Sequence, residues 1–104
     1  MKALIFGITG SVGSYIAKKF TKEGIECIGT THSKDKITSN ILFVDNNNLD
    51  NLKSITDINI VIWAQGYNLN DNVQTFNHDE FITTINANVS LIVNSLKVLL
   101  ENNC

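Results

Sequence analysis

The chain of 104 residues contains no proline and no linker, repeat or low-complexity tract, so it reads as one unit. It is also poor in charge. Charged residues make up 17% and the net charge is −2, with Lys18 and Lys19 the one adjacent basic pair. That leaves no electrostatic case for a nucleic-acid partner or an anionic membrane. No apolar run approaches membrane-spanning length, and the short stretch behind Lys2 meets Gly7 too soon for a signal peptide. The expectation is a soluble cytoplasmic protein. The two cysteines, Cys27 and Cys104, have no neighbours at metal-ligand or redox spacing, which excludes a disulfide framework and a zinc motif. His32 and His78 have no nearby Ser or Cys arranged as a nucleophile.

What the chain does have is a globular share of apolar residues, 43%, in an ordered pattern. Lys2 to Phe6 is a short apolar run ending in glycine, as a buried parallel strand is. Residues 11–23 follow as a helix whose face is Val12, Ile16, Ala17 and Phe20, closed by Gly24. Strands are expected at 25–31, 41–44 and 58–64, with a polar loop at 32–39 and a short helix marked by Leu49, Leu52 and Ile55. After a polar loop at 67–77, residues 78–100 predict a long helix. Its apolar stripe includes Phe81, Ile82, Ile85, Val89, Ile92, Val93, Leu96, Leu99 and Leu100, with Leu91 and Val98 outside it. One sheet face cannot cover so broad an apolar surface, so a partner is expected there. Strands alternating with helices imply an α/β fold with a parallel sheet.

The informative segment is Gly7-Ile8-Thr9-Gly10-Ser11-Val12-Gly13, which leaves a strand and opens a helix. Gly7 allows a sharp turn off the strand. Gly10 lets the backbone approach a pyrophosphate, and Gly13 lets the helix pack closely on the sheet. Amide groups of the first helical turn, with Thr9 and Ser11 as hydroxyl donors, would then face the phosphates. A tight strand-to-helix turn holding no ligand is the alternative. A P-loop is excluded, because Ser14 and Tyr15 follow Gly13 where that motif needs Lys and Ser or Thr.

Thr9-Gly10-Ser11-Val12-Gly13 after a strand resembles the loop of the short-chain dehydrogenase/reductase family, in the glycine spacing of its extended and atypical branches. The common Thr-Gly-x-x-x-Gly-x-Gly form is not met. Val44-Asp45-Asn46 resembles the Asp-Val pair after the third strand, which implies that Asp45, with Asn46 beside it, meets the adenine. Trp63-Ala64-Gln65-Gly66 resembles Asn-Asn-Ala-Gly at the end of the fourth strand, with Ala64 and Gly66 matching well and Gln65 departing. Asn86-Ala87-Asn88-Val89 resembles a stretch of the long helix, which implies that Asn88 is the active-site asparagine. A turn or cap role for Asp45, a plain turn at Gly66 and a backbone-bonding role for Asn88 stay open. The resemblance implies a Rossmann-like sheet of about four strands, order 3-2-1-4, with flanking helices, forming one NAD(P)-binding domain over residues 1–104.

NAD sites place an acid at the end of the second strand to hold the ribose hydroxyls. Here Gly29-Thr30-Thr31-His32-Ser33-Lys34 carries none before Asp35, which favours NADP over NAD, with Thr31, His32 and Ser33 lining the site and Lys34 a further phosphate donor. Solvated loop roles for His32 and Lys34 are the alternative. The family's catalysis needs Ser and Tyr-x-x-x-Lys on elements after the long helix. Tyr15 and Lys19 match that spacing on the first helix, the wrong context, and Tyr67 is followed by Asp71. The expectation is therefore a carbonyl or hydroxyl oxidoreductase truncated before its catalytic half and inactive by itself, with 58–64 as an open edge strand. Helix 78–100 is expected to pair subunits in a homo-oligomer, since the resemblance gives that helix a part in subunit pairing. A non-catalytic dinucleotide module or sensor, or an oligomeric structural protein, is the alternative.

Overall fold

A computed structural model of the chain describes residues 1–45, 47–65 and 78–102. Asn46, Gly66, the expected loop at 67–77 and Cys104 lie outside the described residues, as does the side chain of Phe81.

The first strand, β1 (Lys2–Phe6), is apolar after Lys2 because it is covered on both faces. Ala3, Leu4, Ile5 and Phe6 are fully buried. It pairs in parallel with β2 (Glu26–Thr31) on one side and with β4 (Ile60–Trp63) on the other. The short β3 (Ile41–Phe43) pairs with β2, giving the expected order β3-β2-β1-β4. Register brings Phe6 level with Thr30 and Trp63, so the chain leaves three neighbouring strands at one edge of the sheet. As expected, β4 is an edge strand, and β1 is its neighbour among the described residues.

Helix α1 (Ser11–Lys22) packs against β1 and β2 and ends at Gly24, whose φ of +81° suits the left-handed C-terminal position. The helix face differs from the sequence expectation. Val12 is 60% exposed, and Gly13 is the buried residue of α1. The helix starts so close to the preceding turn that its inward position there has no room for a side chain. Ile16, Ala17 and Phe20 are half-buried, as an inner face requires.

On the opposite side of the sheet, Leu4 and Phe6 form a core with Val44, Leu52, Ile55, Ile58 and Leu99. Leu52 and Ile55 come from a 3-10 turn at Asp50–Ser54 and the residue after it. Trp63 stacks on Phe6 with ring centroids 5.5 Å apart, and its indole N–H donates to Ser95 Oγ at 3.0 Å. Ser95 Oγ–H in turn donates to Ile92 O at 3.1 Å, so this fully buried hydroxyl is satisfied. Asn102 Nδ2 donates to Leu52 O at 2.8 Å and fastens the end of the last helix to the 3-10 turn.

The expected long helix is divided into α2 (His78–Ile85), a π-helical turn at Asn86–Ser90, and α3 (Leu91–Glu101). Its inward face also corrects the expectation. Leu91 and Val98 pack against the core beside Leu99, while Ile82, Ile85, Val89, Val93, Leu96 and Leu100 are exposed. The helix has two apolar faces, and periodicity cannot tell which of them meets the sheet. Among the described residues, no helix is long and apolar enough to cross a membrane.

Candidate functional site

The turn after β1 is built by hydrogen bonds into β2. The amides of Gly7 and Ile8 both donate to Thr30 O, at 3.2 and 3.1 Å, and Gly10 N–H closes back on Gly7 O at 3.0 Å. Each glycine answers to a different constraint. Gly7 has φ +77°, and a Cβ there would lie 2.8 Å from the backbone nitrogen of Gln65. Gly13 faces the turn: a Cβ would collide with Gly7 O and stand 2.8 Å from Gly7 C and 3.0 Å from Ile8 Cα. The close packing expected between Gly13 and the sheet is therefore packing on the loop's own backbone.

Gly10 has no such reason among the described residues. Its φ is −79°, open to any residue, and a Cβ would meet Gly7 O at an ordinary 3.4 Å. It is exposed at the start of α1, where no side chain caps the helix and no acidic residue enters the first turn. Ser11 and Val12 are exposed beside it. Amides of a first helical turn lack intrahelical acceptors, and they give this mouth a positive partial charge.

Thr9 joins the loop to the end of β2. Its Oγ1 lies 3.1 Å from Thr31 Oγ1, which also accepts Ser33 N–H at 3.1 Å. Thr31 is 2% exposed and stands behind Thr9, whereas His32 is exposed and Ser33 half-buried. Lys34 Nζ sits 5.3 Å from the centre of the Phe43 ring at the end of β3. Asp45 Oδ1 accepts Asn47 N–H at 2.8 Å, so the carboxylate has a turn role through that oxygen. Ala64 N–H continues the β1–β4 ladder to Phe6 O at 2.9 Å, and Gln65 follows against Gly7.

The expected residues of the loop, the end of β2 and the end of β4 are thus brought together at the C-terminal edge of the parallel sheet, where open α/β sheets bind ligands. Asn88 is placed by a separate element, half-buried within the π-helical turn. Sequence reasoning missed Thr30, Ile8 and Gly29. Thr30 O anchors the turn, and Gly29 is small because Ile8 lies flush on it. No local signal marks contacts between residues so far apart in sequence. Tyr15 and Lys19 lie on the outer surface of α1, with Lys19 Nζ 5.5 Å from the ring centre and Tyr15 61% exposed. No metal-binding cluster occurs among the described residues.

Residues 3–104 match the model of the NAD dependent epimerase/dehydratase family. No curated protein matches the chain significantly. Among solved structures, the chain is similar to an aldohexose dehydrogenase from Thermoplasma acidophilum in ligand-free form, with 16% identity and a TM-score of 0.80 over 97% of this chain and 43% of that one. It is similar to serine dehydrogenase from Escherichia coli, with 20% identity and a TM-score of 0.78 over 98% of this chain and 56% of that one. A variant of ElxO with NADPH bound gives 18% identity and a TM-score of 0.79 over 96% of this chain and 49% of that one. At these identities the likeness is one of fold. The chain spans about half the length of the structures it matches.

Proposed function

The chain belongs to the NAD dependent epimerase/dehydratase family, and we propose that its loop 7–13 holds the pyrophosphate of a nicotinamide dinucleotide, NADP in preference to NAD. The observation that carries this reading is Gly10. Described residues crowd Gly7 and Gly13, but none of them crowds Gly10, which leaves its space to an incoming group. The uncapped start of α1 then supplies amide donors to the phosphates, with Thr9 and Ser11 adding hydroxyls. The preference for NADP rests on the end of β2. Thr31, His32 and Ser33 bring no carboxylate to repel a 2′-phosphate, and His32 is exposed where that group would lie. Asp45, through the oxygen not used in its turn, and Asn46 would take the adenine side. Ala64, Gln65 and Gly66 would line the path toward the nicotinamide.

When bound, such a cofactor supplies or accepts a hydride. For longer relatives, the resemblance to short-chain dehydrogenases/reductases implies oxidation of a hydroxyl or reduction of a carbonyl. Asn88 would be a partial contribution to that site. Here the one Tyr-x-x-x-Lys spacing lies on the solvent face of α1, so the 104-residue chain is proposed to bind the dinucleotide without turning it over. The exposed stripe of Ile82, Ile85, Val89, Val93, Leu96 and Leu100 supports a homo-oligomer through the long helix, because so continuous an apolar face favours removal from water.

Titration of NADPH and NADH against the chain, followed by calorimetry or Trp63 fluorescence, tests the reading. Binding of both is expected, tighter for NADPH, with Gly10→Ala losing at least about tenfold in affinity. Unchanged affinity in Gly10→Ala would refute the loop's role.

A further inference from the structure

We propose that Thr31 is a positioning residue: it spends its own hydroxyl proton on Thr9 and so leaves the Thr9 proton for a phosphate oxygen of the bound dinucleotide. The inference rests on the dinucleotide reading above and concerns how one donor of that site is aimed. A hydroxyl has one proton to give and two lone pairs. Thr31 Oγ1 makes two hydrogen bonds among the described residues, accepting from Ser33 N–H at 3.1 Å and sharing a proton with Thr9 Oγ1 at 3.1 Å. Distance does not say which threonine donates, but burial does. Thr31 is 2% exposed. If it accepted from both neighbours, its proton would be buried with nothing to receive it, because Thr9 Oγ1 and Ser33 N–H are the partners recorded for Thr31 Oγ1 among the described residues. Donation from Thr31 to Thr9 satisfies the buried group completely.

The protons then run one way, from Ser33 N–H to Thr31, from Thr31 to Thr9, and from Thr9 outward. Thr9 is half-buried in the loop, with Gly10 exposed next to it. Hydrogen bonds aligned in one direction polarise each other, so the last donor is strengthened toward an anion. Thr31 is β-branched within a strand, which holds the direction of its hydroxyl. The arrangement also ties residue 9 of the loop to the end of β2.

The test compares Thr31→Val, Thr31→Ser, Thr9→Val and the double valine variant by titration with NADPH and NADH, with melting followed in parallel. Thr31→Val is expected to weaken NADPH about tenfold, the lower end of what one hydrogen bond to a charged oxygen is worth. Thr31→Ser is expected to bind within about twofold of wild type, because the serine restores the hydroxyl. The double variant is expected to be no weaker than Thr9→Val, because Thr31 acts through Thr9. Equal losses on both cofactors assign the proton to the pyrophosphate, and a loss confined to NADPH assigns it to the 2′-phosphate. Wild-type affinity in Thr31→Val, multiplying losses in the double variant, or no rescue by serine overturns the inference. Failure of the wild type to bind either cofactor sinks the dinucleotide reading itself, a separate outcome.

Discussion

Replacing Gly13 by alanine should destabilise the fold, whereas the same change at Gly10 should not. The added methyl at residue 13 would overlap Gly7 O and press on Gly7 C at 2.8 Å and Ile8 Cα at 3.0 Å. All three atoms are backbone, so no side chain can swing aside. Relief requires the start of α1 to move off the turn, which loosens the amides of Gly7 and Ile8 from Thr30 O. Overpacking of this kind costs roughly 1–3 kcal/mol. Alanine recovers up to about 1 kcal/mol through its better helix propensity, which places the net loss near 1–2 kcal/mol. For a domain of this size, that lowers the melting temperature by about 4–15 °C. At residue 10 the methyl meets Gly7 O at 3.4 Å and φ is −79°. The weaker capping by alanine and its lower unfolded-state entropy roughly cancel, leaving stability within about 0.5 kcal/mol. Thermal unfolding by circular dichroism of both variants, beside cofactor titration, separates the two roles. Equal melting temperatures for Gly13→Ala and wild type would show that the loop yields freely and that the steric argument is wrong.

Ser95→Ala leaves the half-buried Trp63 N–H without its acceptor and should cost about 1–2 kcal/mol, seen as a lower denaturant midpoint together with altered tryptophan emission. Asn102→Leu should cost about 1 kcal/mol by releasing the carbonyl of Leu52, measured in the same way, with α3 fraying as seen by hydrogen exchange. His32→Asp should reverse the cofactor preference toward NADH by at least about tenfold, since a carboxylate repels a 2′-phosphate and accepts from ribose hydroxyls; an unchanged NADPH:NADH ratio in titration would count against His32 facing that group. Val93→Asp with Leu96→Lys should shift sedimentation to the monomer without lowering the melting temperature of the protomer, because both side chains point away from the core. A wild type that sediments as a monomer at high concentration ends the oligomer proposal.

Much of the architecture was legible because it depends on short-range pattern. An apolar run that stops at glycine and hands over to a three-to-four-residue periodicity describes β1 and α1 to within a residue, alternation implies the parallel sheet, and the strand order is what the family resemblance implies. The failures share a cause. Val12 was assigned to the inner face of α1 by its hydrophobicity, but the steric limit at that turn comes from Gly7 and Ile8, which periodicity does not count. Leu91 and Val98 fall outside the apolar stripe of the long helix, yet they pack against the core, on the side where the polar Ser95 accepts from Trp63. A buried serine lowers the apparent hydrophobicity of the face that is in fact covered. The division of that helix by a π-helical turn at Asn86–Ser90 has no counterpart in the apolar spacing either.

The site shows the same division more sharply. In sequence, the three glycines are equivalent members of one spacing. In structure, two of them are required by the chain itself, one by positive φ beside Gln65 and the other by the backbone of its own loop. A protein that held nothing could need those two. The third, Gly10, is neither strained nor crowded by any described residue, and none of them bars alanine there. The case for a ligand therefore lies less in the motif as a whole than in the one of its three glycines that no described residue crowds. Thr31 reinforces this from the opposite direction. A buried hydroxyl that satisfies itself by giving its proton to Thr9 leaves a donor directed outward at the same loop. An unneeded glycine and a freed donor are independent features, one of shape and one of hydrogen bonding, and both are accounted for by an anionic group seated at residues 9 and 10.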